Sequence, residues 1–365
     1  MIRRSALRAG APLLLIAVLA AACSSSKSTT STTASSNGGA TTTSGPPLSG
    51  TLNGSGSTFQ AAFNSAAVDA FTKANKGVTI NYNPTGSGQG QTDLENQVVD
   101  FAGSDVTVTS TDLPKFKGGS ILYFPTVLGP ITVSYNLSGV SSLKLSGATV
   151  AKIFAGSIKK WNASAIAADN PGVTLPSTSI TVVHRSDGSG TTANFTAYLK
   201  AVDSTDWTLG TGKTVNWSAS TQAGKGNAGV AQIVKQTAGA VGYVDFSDAK
   251  SAGLSTASVK NSAGNFVAPS LDAASQAAAA ATSNSDLTYN PINTSGAQAY
   301  PIVSPTYIIV YAKQTDPTKG ALVKAFLKFI LGPDGQALAS TVNFAPLPTD
   351  LATKALAQVD TITGA

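Results

Sequence analysis

The sequence predicts an α/β fold built as two domains joined by two extended crossings. Three observations predict it. Short apolar strands alternate with helical segments through residues 50–125. Ile121–Tyr135 reads as one extended stretch long enough to leave one domain and enter another, and Tyr300–Val303 with Thr306–Tyr311 reads as a second, far downstream. Residues 48–365 form a body long enough for two domains once the N-terminal segment is set aside.

That N-terminal segment reads as targeting and tether. Arg3, Arg4 and Arg8 make a basic start, and Ala11–Ala22 is apolar but too short to span a bilayer. It ends at Ala20-Ala21-Ala22-Cys23, which holds the only cysteine of the chain. The pattern resembles a bacterial lipoprotein signal, with Ala20 where Leu is more usual. It implies removal of residues 1–22 and lipidation of Cys23; ordinary secretory cleavage beside an incidental Cys is the alternative. Ser24–Pro47 is rich in Ser, Thr, Gly and Ala and has no acid. Such a composition cannot bury a core, and as a flexible coil it spans roughly 25–30 Å, enough to hold a body off a membrane. The formal charge of +6 comes largely from this part. Without Arg3, Arg4, Arg8 and Lys27 the body carries 20 basic and 18 acidic residues, which removes the argument for a nucleic-acid partner.

The body is expected to run as follows. Val78–Tyr82 is a strand between a helix at Gln60–Asn75, striped by Phe63, Ala67 and Phe71, and a short helix near Gln91–Val98. Val99–Ser104 is a short strand. Val150–Phe154 and Ala163–Ala168 are short helices, Ile180–His184 a strand, and Thr192–Leu199 a helix. Gly226–Gln236 has helical spacing, Gly239–Val244 extended spacing, and Leu271–Ala281 is an alanine-rich helix. Helices near Gly320–Leu331 and Leu351–Thr361 close the chain, with Lys319, Lys324 and Lys328 on a solvated face.

Three Gly/Ser/Thr loops each lie between a strand and a helix: Gly54–Phe59, Gly86–Gly90 and Arg185–Thr191. One such loop is an ordinary capped turn or an anion site. Three converging helix N-termini can replace the hydration shell of a small oxyanion with N–H and O–H donors. Arg185 adds a fork of N–H groups, and Ser189 and Thr191 add hydroxyls. Asp105, after the Val99–Ser104 strand, is either a turn acid or a carboxylate inside this site. An ionised carboxylate only accepts hydrogen bonds, so it suits an anion that carries its own proton, as phosphate does near neutral pH and sulfate does not.

Other chemistries find no support. Gly210-Thr211-Gly212-Lys213-Thr214 looks like the end of a P-loop, but Trp207 stands where the first glycine is needed. His184 is the only histidine and alternates with Arg185 along a strand, so the two face opposite ways. There is no Gly-x-Ser-x-Gly elbow and no zinc-ligand spacing. No cofactor is expected.

In this order Gly54–Phe59, Gly86–Gly88, Asp100–Asp105 and Arg185–Thr191 resemble the PstS family, the phosphate-binding proteins of bacterial ABC-type importers. Phe124–Val127, Ile153–Gly156, Ile158–Trp161, Gly239–Val244 and Tyr300–Ile302 extend the resemblance across nearly all of 48–365. Gln60 departs from it, since Pro often follows the Thr-Phe pair. The resemblance implies a two-lobed periplasmic-binding-protein fold of type II, with lobe I at 48–129 and 300–365 and lobe II at 130–299. It implies that Ser57, Thr58, Phe59 (through its N–H) and Ser87 donate to one phosphate from lobe I, and that Asp105 accepts the phosphate proton. Arg185, Ser189, Gly190 and Thr191 bind from lobe II, and Asp187 braces Arg185. It further implies an exported, lipid-anchored monomer that serves the membrane permease of an importer and is not an enzyme. A phosphatase with a product site and a surface adhesin that keeps the fold are the competing readings.

Overall fold

The computed structural model describes residues 47–364, so the signal, Cys23 and most of the tether lie outside the described residues. Chain contacts separate Met1–Gly45 from Pro46–Ala365, and the latter is one compact unit.

The chain opens with β1 (Ser49–Gly56), α1 (Ala61–Ala74), β2 (Gly77–Asn83), α2 (Ser87–Glu95) and β3 (Phe101–Ser104). The long β4 (Ile121–Tyr135) follows, then β5 (Lys144–Leu145), α3 (Gly147–Phe154) and α4 (Ser164–Asp169). Next come β6 (Thr181–Arg185), α5 (Gly190–Val202), β7 (Gln222–Gly224), α6 (Gly226–Gln236), β8 (Ala240–Asp245) and α7 (Phe246–Ala252). The short strands β9 (Ser255–Thr256), β10 (Ser258–Lys260) and β11 (Phe266–Val267) lead to α8 (Leu271–Ala279) and β12 (Val303–Tyr311). The chain closes with α9 (Pro317–Leu331), α10 (Pro333–Thr341), β13 (Ala345–Pro346) and α11 (Thr349–Val359).

The main sheet runs β2-β1-β3-β12-β4-β8-β6-β7, with β13 and β9 also paired to β4. The order follows from β4. Its first part, to Pro130, pairs antiparallel with β12, and Ile131–Tyr135 pairs antiparallel with β8. One strand thus serves two halves of the sheet. Its near-continuous apolar run suits this, because from Tyr123 onward it is buried. In each half the flanking strands are parallel: β2-β1-β3 on one side and β8-β6-β7 on the other. The loops after β1, β2, β3, β6 and β7 therefore all leave from carboxyl ends of parallel strands, where α/β sheets bind ligands.

The expected α/β class is the observed one, and among the local differences two bear on the site and the crossings. The helix expected from Gln91 starts at Ser87. Gly86 has φ +99°, and the helical Gly90 lies so close to Gly56 that a Cβ there would stand 2.4 Å from the Gly56 Cα. Close packing of small residues, rather than helix propensity, starts α2. Of the second extended stretch, Val303 and Thr306–Tyr311 lie in one strand, β12, while Tyr300–Ile302 precede it; the pairing of β12 with β4 slips between Pro305 and Tyr307. Pro305 has no N–H for the ladder and so makes a bulge, which a sequence reading sees as a break.

Core packing holds the elements that carry the loops. The α1 stripe of Phe63, Ala67 and Phe71 is buried, and Phe71 meets Phe326 of α9 at 5.4 Å between ring centroids. Asp316 caps α9 by accepting from the N–H groups of Thr318 and Lys319. The lysines of α9 are not merely solvated. Lys319 pairs with Asp100 at 2.8 Å, Lys328 pairs with Asp360 at 2.8 Å, and Lys324 donates to the Ile362 carbonyl.

Candidate functional site

Each loop reaches the site for a local reason. β1 ends in Gly56, with φ +136° and its α-carbon so near the Gly103 carbonyl that a Cβ would lie 2.1 Å from it. Only glycine permits that turn, and it sets Ser57 beside β3. Ser57 donates to Asp105 Oδ1 at 2.5 Å, and its Oγ accepts the Phe59 N–H at 3.0 Å. Ser87, at the first turn of α2, donates to Asp105 Oδ2 at 3.3 Å. Two hydroxyls from separate loops thus hold one carboxylate.

From the other half of the sheet, Ser189 caps α5 by accepting the Thr192 N–H at 3.1 Å. Helix geometry leaves the N–H groups of Gly190 and Thr191 without intrahelical acceptors. Gly190 sits directly against Asp105: a Cβ there would lie 2.6 Å from Ser87 Oγ and 2.7 Å from Asp105 Cβ. The positive end of α5 therefore meets the loops that carry Ser87 and Asp105. Arg185 ends β6. Its Nε donates to Asp187 Oδ1 at 2.8 Å, its Nη2 pairs with Oδ2 of the same carboxylate, and its Nη1 reaches Thr191 Oγ1 at 3.4 Å. Asp187 also accepts the Gly226 N–H at 3.0 Å. The side chain of Arg185 is 1% exposed, so this fork is fixed.

The structure brings together Ser57, Thr58, Phe59, Ser87, Asp105, Arg185, Asp187, Ser189, Gly190 and Thr191; of the side chains, Thr58 and Asp187 alone are half-buried. The electrostatics follow from that burial. Burial pushes the Asp105 carboxyl up to about 7, against the Ser57 hydroxyl, the Arg185 charge and the Ser87 hydroxyl, which all pull it down. For Asp187, burial pushes up but is outweighed by hydrogen bonding and charge from Arg185 and by the Gly226 N–H, so the carboxyl stays below its usual value. One acid poised to hold or release a proton thus lies beside a fixed cation with an ionised partner.

His184 faces away from the site, as the strand alternation predicts. It stacks on Trp217 at 4.9 Å, and burial lowers its pKa. Gln60 also turns away, donating to the Tyr307 carbonyl at 3.1 Å.

Three contributors escaped the sequence reading. Asn227, at the start of α6, bridges Thr58 and Thr191. Its signal was a fourth small-residue turn before a helix, Gly224-Lys225-Gly226-Asn227. Asn194 of α5 donates to the Asp105 carbonyl at 2.8 Å and to Ser304 Oγ at 2.9 Å, which ties α5 to β3 and β12. Lys213, in the loop set aside as a failed P-loop, accepts the Ser189 N–H with its carbonyl, and its ammonium donates to Gln91 Oε1 of α2 at 2.5 Å.

The chain is similar to known proteins over most of its length. A profile of the PBP superfamily domain matches residues 41–334. Phosphate-binding protein PstS 3 of Mycobacterium tuberculosis is 38% identical over 325 residues, covering 86% of each chain. Phosphate-binding protein PstS of Pasteurella multocida is 37% identical over 314 residues, covering 84% of this chain and 89% of its own. The chain belongs to the PstS family of phosphate-binding proteins. Among solved structures, PfluDING, a high-affinity periplasmic phosphate-binding protein solved with phosphate bound, is similar at a TM-score of 0.70 and 26% identity. The match covers 84% of this chain and 93% of that one. The phosphate-binding protein of Stenotrophomonas maltophilia shares the fold, with a TM-score of 0.67, 22% identity and coverage of 85% and 94%.

Proposed function

We propose that this PstS-family chain binds one inorganic phosphate ion between the two halves of its sheet and delivers it to the permease subunits of an ABC-type importer. The observation that carries the reading is Asp105. It is a buried carboxyl held by Ser57 and Ser87 against the α5 N-terminus, in a site otherwise made of donors. A carboxylate in an anion site is favourable only for an anion that brings a proton. In the complex the Ser57 and Ser87 hydroxyls leave Asp105, and the Phe59 N–H leaves Ser57 Oγ. With Thr58 they donate to the ion from residues 48–129 with 300–365, which form lobe I, while the phosphate O–H takes the place of the hydroxyls at Asp105. Ser189, Gly190, Thr191 and Arg185 donate from 130–299, lobe II. Asp187 keeps the guanidinium in place.

Only closure lets both sets of donors reach one ion, so phosphate selects the closed state. The protein is an exported monomer, tethered through lipidated Cys23 at the outer face of the cell membrane. It acts as a carrier and not as an enzyme.

Calorimetry of the purified protein with phosphate tests this, with sulfate as competitor at about pH 8.5, where the Asp105 carboxyl, pushed by burial to about 7, is ionised while phosphate still carries a proton. Phosphate gains a charge-assisted bond to Asp105. Sulfate leaves the carboxylate unpaired beside a like charge, at a cost of about 1–3 kcal/mol or more. Tight phosphate binding with no competition from millimolar sulfate is expected. Equal affinities would remove the role of Asp105 and make the protein a general oxyanion carrier, and turnover of p-nitrophenyl phosphate would make it an enzyme.

A further inference from the structure

Resting on that reading, a residue outside the expected ligand set has the geometry to control the site. Asn227 is fully buried. Its Nδ2 donates to Thr58 Oγ1 at 3.2 Å and to Thr191 Oγ1 at 3.2 Å. Thr58 belongs to the loop after β1 and Thr191 to α5, so one carboxamide joins the two halves of the sheet. Its backbone N–H also reaches Thr58 Oγ1, at 3.3 Å. The orientation of the amide is determined by its other end, since Oδ1 accepts the Asp245 N–H at 3.4 Å. Turning the amide over would set an NH2 against that N–H.

The consequence lies in the hydroxyl protons. A hydroxyl offers one proton and two lone pairs. At Thr58 Oγ1 both lone pairs receive N–H groups of Asn227. At Thr191 Oγ1 one receives Arg185 Nη1 and the other Asn227 Nδ2. Each hydroxyl can then only donate. We propose that Asn227 is the positioning residue of the phosphate site: it makes Thr58 and Thr191 obligatory donors to an acceptor-rich tetrahedral anion and clasps the two halves in the closed state.

The test uses Asn227→Ala and Asn227→Asp in the full chain, with thermal melts to confirm folding. Phosphate is the probe, by calorimetry for Kd and by stopped-flow for association and release. Losing the two donations to Thr58 and Thr191 should weaken phosphate binding about 10- to 100-fold in Asn227→Ala, mostly as faster release. Asn227→Asp keeps the shape but accepts the threonine protons and adds a like charge, so its Kd should lie at least tenfold above that of Asn227→Ala. A purely structural role would not produce this order. An Asn227→Ala variant within twofold of wild type in Kd and release rate would overturn the clasp, and Asn227→Asp binding as well as Asn227→Ala would overturn the donor-setting role.

Failure of the wild-type chain to bind phosphate would count against the proposed function instead. The clasp is then still read by amide hydrogen exchange without ligand. The Asn227 N–H should exchange at least tenfold faster in Thr58→Ala than in wild type, and equal rates would overturn it.

Discussion

In the proposed phosphate site two side chains have complementary parts. Arg185 carries the full positive charge of the constellation, in a buried fork that Asp187 fixes. Arg185→Ala should weaken phosphate binding by about 2–5 kcal/mol, since truncating one side of a buried charged contact leaves the other unpaired. A change below threefold in a titration would show that the guanidinium does not face the ion. Asp105 gives a pH signature in the ligand-free protein. Its folded value of about 7 lies above the ordinary 3.8, because burial disfavours the charged form. Between about pH 4 and 7 the folded state keeps a proton that the unfolded state has released. The stabilising contribution of Asp105 is therefore full below about pH 4, falls through that window by about 4 kcal/mol, and levels off above it. Asp245 is raised by burial too and slopes the same way, so the comparison is with Asp105→Asn. That variant should melt with a flatter pH dependence over this window. Parallel curves for the two proteins would mean that Asp105 is not desolvated as the fold implies.

At the scale of elements, the decisive feature is how closely helix ends approach strand ends. The first turn of α5 abuts Ser87 and Asp105 only because position 190 lacks a side chain. Gly190→Ala should lower phosphate affinity at least tenfold, by holding α5 away from Asp105. The ligand-free melting temperature should fall as well, since the added Cβ meets Ser87 and Asp105 without ligand and the helix preference of Ala, about 1 kcal/mol, offsets only part of that strain. A Kd within twofold of wild type would show that the helix end does not need that contact. The loops were legible because their signals are local: glycine and hydroxyl residues between an alternating run and a helical one. The first turn of α2 was not, because Gly86, Gly88 and Gly90 are placed by contacts with Gly56 and Gly188, far away in the chain.

For the whole molecule, the proposed targeting segment and the candidate site occupy separate parts of the chain. Pro46–Ala365 is one compact unit that holds every residue of the site. A protein of residues 46–365 should bind phosphate with the affinity of the longer mature form, and a loss would mean that the tether contributes. Cys23→Ser should move the protein from the membrane fraction to the soluble one; unchanged association would point to another anchor. The through-running β4 gives the two halves a shared strand, and β12 pairs with both β3 and β4, so relative motion must pass through these segments.

By itself the sequence determined the alternation of elements, the three anion-type loops, the opposed faces of His184 and Arg185, and Asp105 as the odd acid among donors. Each depends on residues within a few positions of one another: side-chain period, turn chemistry, or the charge of one group. The tertiary structure alone decided which loops meet, and with them the partners of Asp105 and the reach of Lys213 to Gln91. It also decided the place of Asn227 between Thr58 and Thr191, residues 133 apart in the chain. Asn227 sits in one more small-residue turn before a helix, a signal that marks the turn but not the role. Its role depends on a hydroxyl arriving from each half of the sheet, and no local pattern encodes where a distant lone pair will lie.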